Sequence, residues 1–148
     1  DVRRVNLDSS FYVLQQFTKC LVAEKMAGSA VFVSSVVTQI GVANHEAIAA
    51  AKGGIDALVQ SAAATYAPQG IRINAVAPAL TETPLTAIML KHEAMRQGAE
   101  KQYPLAGINS ASEVADVISW LLSAQAQRIT GQTIAVDGGF SRIRPLVR

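Results

Sequence analysis

Three short segments of strand-like composition recur along the chain, and longer stretches with helical spacing separate them. The segments cover residues 30–33, 71–76 and 132–136. The first, residues 30–33, is continuously apolar, which is typical of a parallel strand that is buried on both faces. Strands that alternate with helices favour a single sheet covered by helices on both sides. The sequence therefore predicts an α/β fold built around a parallel sheet.

Four helices are predicted around these strands. Gly28 is expected to end the first helix, and Gly70 stands in the usual place after the second. Ser110 and Glu113 have the spacing of a capping box, which opens the last helix. The third helix is expected to be loose or lid-like. The predicted helices cover residues 8–26, 44–67, 83–102 and 110–122.

The predicted sheet is thin for a chain that is 50% hydrophobic. Residues 30–33 are apolar toward both faces, so they are poorly suited to an exposed sheet edge. The pattern therefore predicts the C-terminal half of a doubly wound Rossmann-type sheet, with residues 1–148 forming one partial domain.

Charge and cysteine content narrow the class of protein. The formal net charge is only +2, and the arginines of the tail, residues 142–148, indicate a solvated terminus before a nucleic-acid site. Charged or amide side chains interrupt every apolar run, so no membrane span is expected. The single cysteine, Cys20, fits a reducing cytoplasm. We expect a cytoplasmic protein without nucleic-acid or membrane partners.

A serine, an isoleucine and a lysine stand at a spacing that resembles an enzyme active site. Ser35 lies thirteen residues before Ile48, and Lys52 lies four residues after it. In these positions, and in four segments that occur in the family's order, the chain is similar to the short-chain dehydrogenase/reductase family. The four segments are residues 5–7, 33–35, 70–78 and 129–139.

The resemblance implies an oxidoreductase that uses NAD or NADP on a small-molecule substrate, and no bound metal is expected. In that family a Tyr protonates the carbonyl oxygen, a Ser holds that oxygen, and a Lys binds the nicotinamide ribose. Ser35 and Lys52 match the Ser and the Lys, and Asn6 matches an Asn that holds a relay water. Asn6 as a turn residue or helix cap is a second interpretation. The Tyr position is Ile48, which cannot donate a proton.

Residues 78–83 resemble the family loop that binds the nicotinamide carboxamide. The resemblance assigns Pro78, Thr81 and Thr83 to cofactor binding, together with Lys52. Ala79 replaces a Gly of the family, a mild change unless the backbone there needs positive φ. The family's Gly-rich phosphate loop is expected before residue 1. Residues 1–148 are therefore expected to carry only the nicotinamide end and the substrate side of the active site.

His45 is the candidate replacement for the missing Tyr. It precedes Lys52 by two helical turns, so both side chains are expected on one face of the second helix. Enoyl-thioester reductases of the superfamily place their Tyr at this offset. Imidazole exchanges protons near neutral pH, so His45 has the chemistry of a proton donor. The alternative is that Asn44 caps the helix and His45 is a solvated residue of its first turn.

The sequence leaves two functions open. The first is a nicotinamide-dependent reductase of a carbonyl (3-oxoacyl-like) or an activated C=C (enoyl-like). The second is a catalytically silent family member or fragment that keeps the fold for assembly or cofactor binding, as Ile48 suggests. Apolar residues within 83–102 indicate an apolar substrate or a core stripe. The resemblance also implies a homo-oligomer, a dimer or tetramer, built on the first two helices.

Overall fold

Three parallel strands form the centre of the structure, a computed structural model that describes residues 1–144. The strands are β1 (Gly28–Val33), β2 (Ile71–Pro78) and β5 (Thr133–Val136), in the order β1-β2-β5. In the register, Val33 is paired with Val76, and Val76 with Ile134. All three lie where the sequence predicts strands. The last part of the arginine tail, 145–148, lies outside the described residues.

Helices cover both faces of this sheet. On one face lie α1 (Ser9–Ala23) and α2 (Glu46–Tyr66), and on the other lies α5 (Ala111–Leu122). Each face has its own apolar core, and β2 is buried between the two because its residues contribute to both. The predicted α/β fold, with a parallel sheet and helices on both faces, is confirmed.

The region predicted as one helix over 83–102 is divided, so that prediction is wrong. It contains two short helices, α3 (Ala87–Leu90) and α4 (Glu93–Glu100). His92 separates them because its backbone is extended, with ψ at 110°. A second, two-stranded parallel sheet flanks this region and consists of β3 (Thr81–Glu82) and β4 (Asn109–Ser110).

The bounds of the first helix also differ from the prediction. Helical structure begins before residue 8, with a π-helical turn over Arg4–Asp8, and α1 ends before Lys25, whose φ is +53°. Gly28 does not end the helix but begins β1. A Cβ at Gly28 would overlap Cδ1 of Leu21, so the glycine allows α1 to pack closely against the strand.

Two polar side chains of β2 hold the segment before β5. Asn74 is fully buried; its Nδ2 donates to Ile129 O at 2.9 Å, and its Oδ1 accepts from the Gln132 N–H at 3.0 Å. Arg72 donates to Leu121 O at 2.8 Å, beside the end of α5. A buried amide that is satisfied on both atoms is stabilising, because either atom left unpaired would carry a desolvation cost.

The outer face of α1 carries apolar side chains in solvent. Phe11 is 46% exposed, and Tyr12 and Val13 are each 63% exposed. Across residues 1–144, no helix combines the length and the apolar character needed to cross a bilayer. Large apolar side chains left in solvent on one helix favour a protein interface there.

The capping box at the start of α5 gives a stability prediction. Ser110 Oγ accepts from the Glu113 N–H at 3.2 Å, and Glu113 Oε2 accepts from the Ser110 N–H at 2.7 Å. Ser110→Ala should lower the free energy of unfolding by about 1 kcal/mol, because the helix loses its N-cap. Urea denaturation measures this. Ser61→Ala, at an exposed position inside α2, is the control, and an equal loss in both variants would contradict the role of the cap.

Candidate active site

Two adjoining cavities open at the carboxyl ends of β1 and β2. The first, here called the lysine cleft, measures about 360 Å³. The second, here called the apolar cavity, measures about 580 Å³. Ser35, Ile48 and Ala79 line both. In open parallel sheets ligands bind outside the carboxyl ends of the strands, so this is the expected place for a site. The predicted residues in the lysine cleft are Ser35, Lys52, Pro78, Thr81 and Thr83.

Lys52 lies on α2, and its side chain reaches the end of β1. Its Nζ donates to Val33 O at 2.7 Å, which leaves two of its three protons for other acceptors. Burial lowers the pKa of Lys52, and the nearby Asp56 carboxylate opposes that effect in part. The ammonium group is therefore held at a fixed point at the edge of the cleft.

Ser35 lies two residues after the end of β1, and its hydroxyl has two structural roles. Its Oγ accepts from the Val37 N–H at 3.4 Å and so caps the short 3₁₀ helix Val36–Thr38. The same hydroxyl keeps its own proton and lines both cavities. The capping interpretation and the site interpretation are therefore compatible.

Ile48 lies between the two cavities and lines each of them. Its aliphatic side chain can pack against a ligand but can neither donate nor accept a proton. At the position where the short-chain dehydrogenase/reductase family has a Tyr, this chain therefore has an apolar side chain. Any proton donor has to come from another residue.

His45 is exposed at the N-cap of α2 and lines the apolar cavity. Its Nδ1 lies 2.7 Å from Ala43 O, a carbonyl that can only accept, so Nδ1 carries the proton and Nε2 is left for other partners. Asn44 does not cap the helix: its φ is +62°, and His45 occupies the cap position without a side-chain cap bond. The prediction of an Asn44 cap is wrong.

Asn6 lies inside the π-helical turn before α1, so its interpretation as a turn residue or helix cap is wrong. Its Nδ2 donates to Val2 O at 2.9 Å, within its own helix. Asn6 lines neither the lysine cleft nor the apolar cavity. The structure does not bring it to the cleft with Ser35 and Lys52, and its place in a catalytic tetrad stays a prediction.

The loop over residues 78–83 is held by Thr86, which sequence reasoning missed. Thr86 Oγ1 donates to Thr81 O at 2.6 Å and accepts from the Thr83 N–H at 3.0 Å. Thr81 Oγ1 donates to Ala79 O at 2.9 Å. Within 1–144 the only non-glycine residues with positive φ are Lys25 and Asn44, so Ala79 fits the loop without strain.

The apolar residues of the region after this loop divide into three groups. Met89 and Met95 line the apolar cavity, as a substrate-binding segment would. Leu90 is buried in the manner of a core residue, whereas Leu85 and Ile88 are 90% and 75% exposed. The apolar residues of this region therefore include cavity-lining, core and surface positions.

Tyr103 and Phe140 also line the apolar cavity, and sequence reasoning missed both. Their rings are in contact, with centroids 5.4 Å apart. Phe140 follows the turn Asp137-Gly138-Gly139, in which both glycines have positive φ. The proximity of this turn to Tyr103 depends on the tertiary fold, which no local pattern encodes.

The matching family model is described as enoyl-(acyl carrier protein) reductase, and it covers residues 1–141. A tropinone reductase homolog of Arabidopsis thaliana is 37% identical over 136 residues, which are 92% of this chain and 50% of the relative. The chain belongs to the short-chain dehydrogenase/reductase family. It spans about half the length of the curated relatives that it matches.

Solved structures give the same result for the fold. A 4-hydroxyisoleucine dehydrogenase complexed with NADH matches with a TM-score of 0.92 at 25% identity, over 96% of this chain and 58% of the other. A putative 2-deoxy-D-gluconate 3-dehydrogenase from Agrobacterium tumefaciens with bound NADP matches with a TM-score of 0.88 at 30% identity, over 92% and 55%. In both comparisons, this chain matches somewhat more than half of the solved chain.

Asp137 holds the turn that carries Phe140. Burial alone would raise the pKa of Asp137, but hydrogen bonds from the Ser141 hydroxyl, the Ser141 N–H and the Gly139 N–H outweigh it, with help from Arg142. The net effect is a lowered pKa. A carboxyl with a lowered folded-state pKa stabilises the fold above its unfolded-state pKa, about 3.9, and loses that contribution as the pH falls through the folded-state value.

Asp137→Asn should therefore destabilise the protein most near neutral pH. The difference in unfolding free energy between the parent and the variant should shrink as the pH falls below about 4. Urea denaturation at a series of pH values measures this difference. Asp116→Asn, on the exposed side of α5, should change stability by less than about 0.5 kcal/mol. A difference for Asp137→Asn that stays constant with pH would disprove the argument.

Proposed function

We propose that the protein containing this chain is an NAD- or NADP-dependent oxidoreductase that reduces a carbonyl or an activated C=C of an apolar small molecule. One observation carries the proposal: Ser35, Lys52 and the loop over 78–83 come from three separate segments and line one cleft. These residue types supply hydrogen-bond donors at the point where the family transfers hydride. Because the chain spans half of its relatives, the proposal concerns the whole protein.

The lysine cleft has the donors that a nicotinamide nucleotide needs. Lys52 Nζ has two protons beyond its bond to Val33 O, which suits the ribose hydroxyls. Thr81 and Thr83 line the same cleft as Lys52 and suit the carboxamide. The bound cofactor would supply the hydride. The solved relatives with NADH and with NADP support this class of cofactor without selecting between the two.

His45 is the proposed proton donor. With its Nδ1–H on Ala43 O, the imidazolium form has its second proton on Nε2, and that is the proton available for transfer. Ser35 Oγ, which keeps its proton, would hold the substrate oxygen as negative charge develops there. Ile48 would form the apolar wall between the two groups.

The apolar cavity supports a substrate of the acyl class. Most of its lining is aliphatic, thioether or aromatic, and only a few polar groups project from it, which is the usual composition of a small-molecule site. The family model is described as an enoyl-(acyl carrier protein) reductase, in agreement with an enoyl-like or 3-oxoacyl-like substrate. Which of the two is reduced depends on the proton donor.

A catalytically silent protein is the second candidate function. Ile48 favours it, because an aliphatic residue replaces the family's proton donor at the junction of the cavities. In that case the fold would be retained for assembly or cofactor binding.

Replacement of His45 separates the two candidates. His45→Ala should lower kcat about 10²-fold, because general acid catalysis contributes at least that much. The readout is the oxidation of NADH or NADPH with ethyl 3-oxobutanoate as a carbonyl substrate and ethyl crotonate as a conjugated one. His92→Ala is the matched control: it removes the other of the two histidines, and His92 lines neither cavity.

Ile48→Tyr in the His45→Ala background should restore turnover of the 3-oxo ester, because it returns a phenol to the position between Ser35 and Lys52. Unchanged turnover in His45→Ala would remove His45 from the mechanism. A parent protein that turns over neither substrate, combined with activity in Ile48→Tyr alone, would support the silent protein.

The proposed assembly is a cytoplasmic homo-oligomer, a dimer or a tetramer. A groove of about 470 Å³ lies between α1 and α2, and Phe11, Tyr12 and Leu58 line it beside Gly54. A second copy of the same two helices would cover these apolar side chains around a two-fold axis. The free cysteine, Cys20, is compatible with the cytoplasm.

Phe11→Lys should shift the protein toward the monomer, because it places a charge in the apolar interface. Size-exclusion chromatography with light scattering measures the mass. Leu85→Lys is the control, since it makes the same kind of change at a 90% exposed position outside α1 and α2. A parent protein that is monomeric at all concentrations would disprove the proposed assembly.

A further inference from the structure

Tyr103 is a polar residue in the apolar cavity to which neither the family resemblance nor the proposed mechanism assigns a role. It lies after α4, half-buried, and shares the cavity wall with Ser35 and His45. The other lining side chains that can donate a hydrogen bond are few, so a phenol in this place strongly affects which ligands the cavity accepts.

The phenol is held in one position by contacts with two distant segments. Its Oη accepts from the Leu80 N–H at 3.0 Å, which fixes the phenol against the loop over residues 78–83. Its ring packs against Phe140. Two residues after Tyr103, the Leu105 N–H donates to Gly138 O at 2.9 Å, and this bond fixes the backbone that follows the tyrosine. A donor held in this way is organised before a ligand arrives.

The hydroxyl still has its proton to donate. Because Oη accepts from Leu80, the O–H points away from that N–H, and within residues 1–144 it donates no hydrogen bond of its own. Burial raises the pKa of Tyr103, so the phenol stays protonated at neutral pH. An O–H donor at the wall of an apolar cavity gains most when a ligand oxygen accepts it.

We propose that Tyr103 binds the substrate: its hydroxyl donates a hydrogen bond to a second oxygen of the substrate, separate from the oxygen that reacts at Ser35. The preferred substrate is then an apolar ketone or enone with an additional acceptor oxygen, such as an ester or thioester carbonyl. This inference rests on the proposed function and narrows its substrate class.

A structural role is the competing explanation, because Tyr103 also supports Leu80. A phenol that only supports the loop would affect every substrate equally. A phenol that binds a substrate oxygen would affect only substrates that have that oxygen. Two probes separate these cases: ethyl 3-oxobutanoate, and 2-heptanone, which is a methyl ketone of the same chain length without the ester.

Tyr103→Phe should lower kcat/KM about tenfold for ethyl 3-oxobutanoate and less than about twofold for 2-heptanone, as expected for one lost hydrogen bond. Tyr66→Phe, at the end of α2 and outside both cavities, is the matched control and should change neither value. Equal losses for both ketones, or no loss for either, would overturn the proposal.

If the parent protein reduces neither ketone, the proposed function fails, and binding still tests Tyr103. Dissociation constants for both probes, from NMR titration, should then show that Tyr103→Phe weakens only the ester. If Tyr103→Phe does not fold, 3-fluorotyrosine labelling gives three fluorine signals, from Tyr12, Tyr66 and Tyr103. Variants of the first two assign the third, and that signal must move more with the ester than with 2-heptanone. Equal movement would overturn the proposal.

Discussion

The parallel pairing of β1 with β2 is the constraint on which the site depends. Six consecutive residue pairs, from Gly28 with Ile71 to Val33 with Val76, fix the register of the two strands. Parallel strands end at the same edge, so the segments after them, which begin with Ser34 and Ala79, emerge together. A shift of one residue would turn every side chain of β1 to the opposite face and would separate Ser35 from the loop after β2.

The second helix connects this sheet edge to the chemistry. Its buried residues, among them Ala51, Ile55 and Val59, pack on the sheet and fix its rotation. The same stripe, continued toward the start of α2, carries Ile48 and Lys52, and His45 at the N-cap, to the cavities. Positions three, four and seven residues apart share one helix face, so a change of the proton donor from position 48 to position 45 keeps the direction of approach.

Much of this could be predicted from the sequence, because buried strands and an amphipathic helix leave local patterns. The three strands, α2, and the capping box at Ser110 follow from such patterns. The errors have a common physical origin. The π-helical turn at Asn6, the break at His92 and the hydrogen bond from Leu80 to Tyr103, 23 residues apart, depend on tertiary packing. No short-range pattern encodes contacts of that kind.

The position of His45 also bears on how a proton would return to the site. In other members of the short-chain dehydrogenase/reductase family, a Tyr recovers its proton through the Lys and a water held by the Asn. Here the Asn6 amide donates to Val2 O, within its own helix. In the proposed reaction that relay is unnecessary, because His45 is exposed and can exchange its Nε2 proton directly with solvent. The loss of the Tyr and the orientation of Asn6 then have one explanation: a donor in contact with solvent needs no internal proton path.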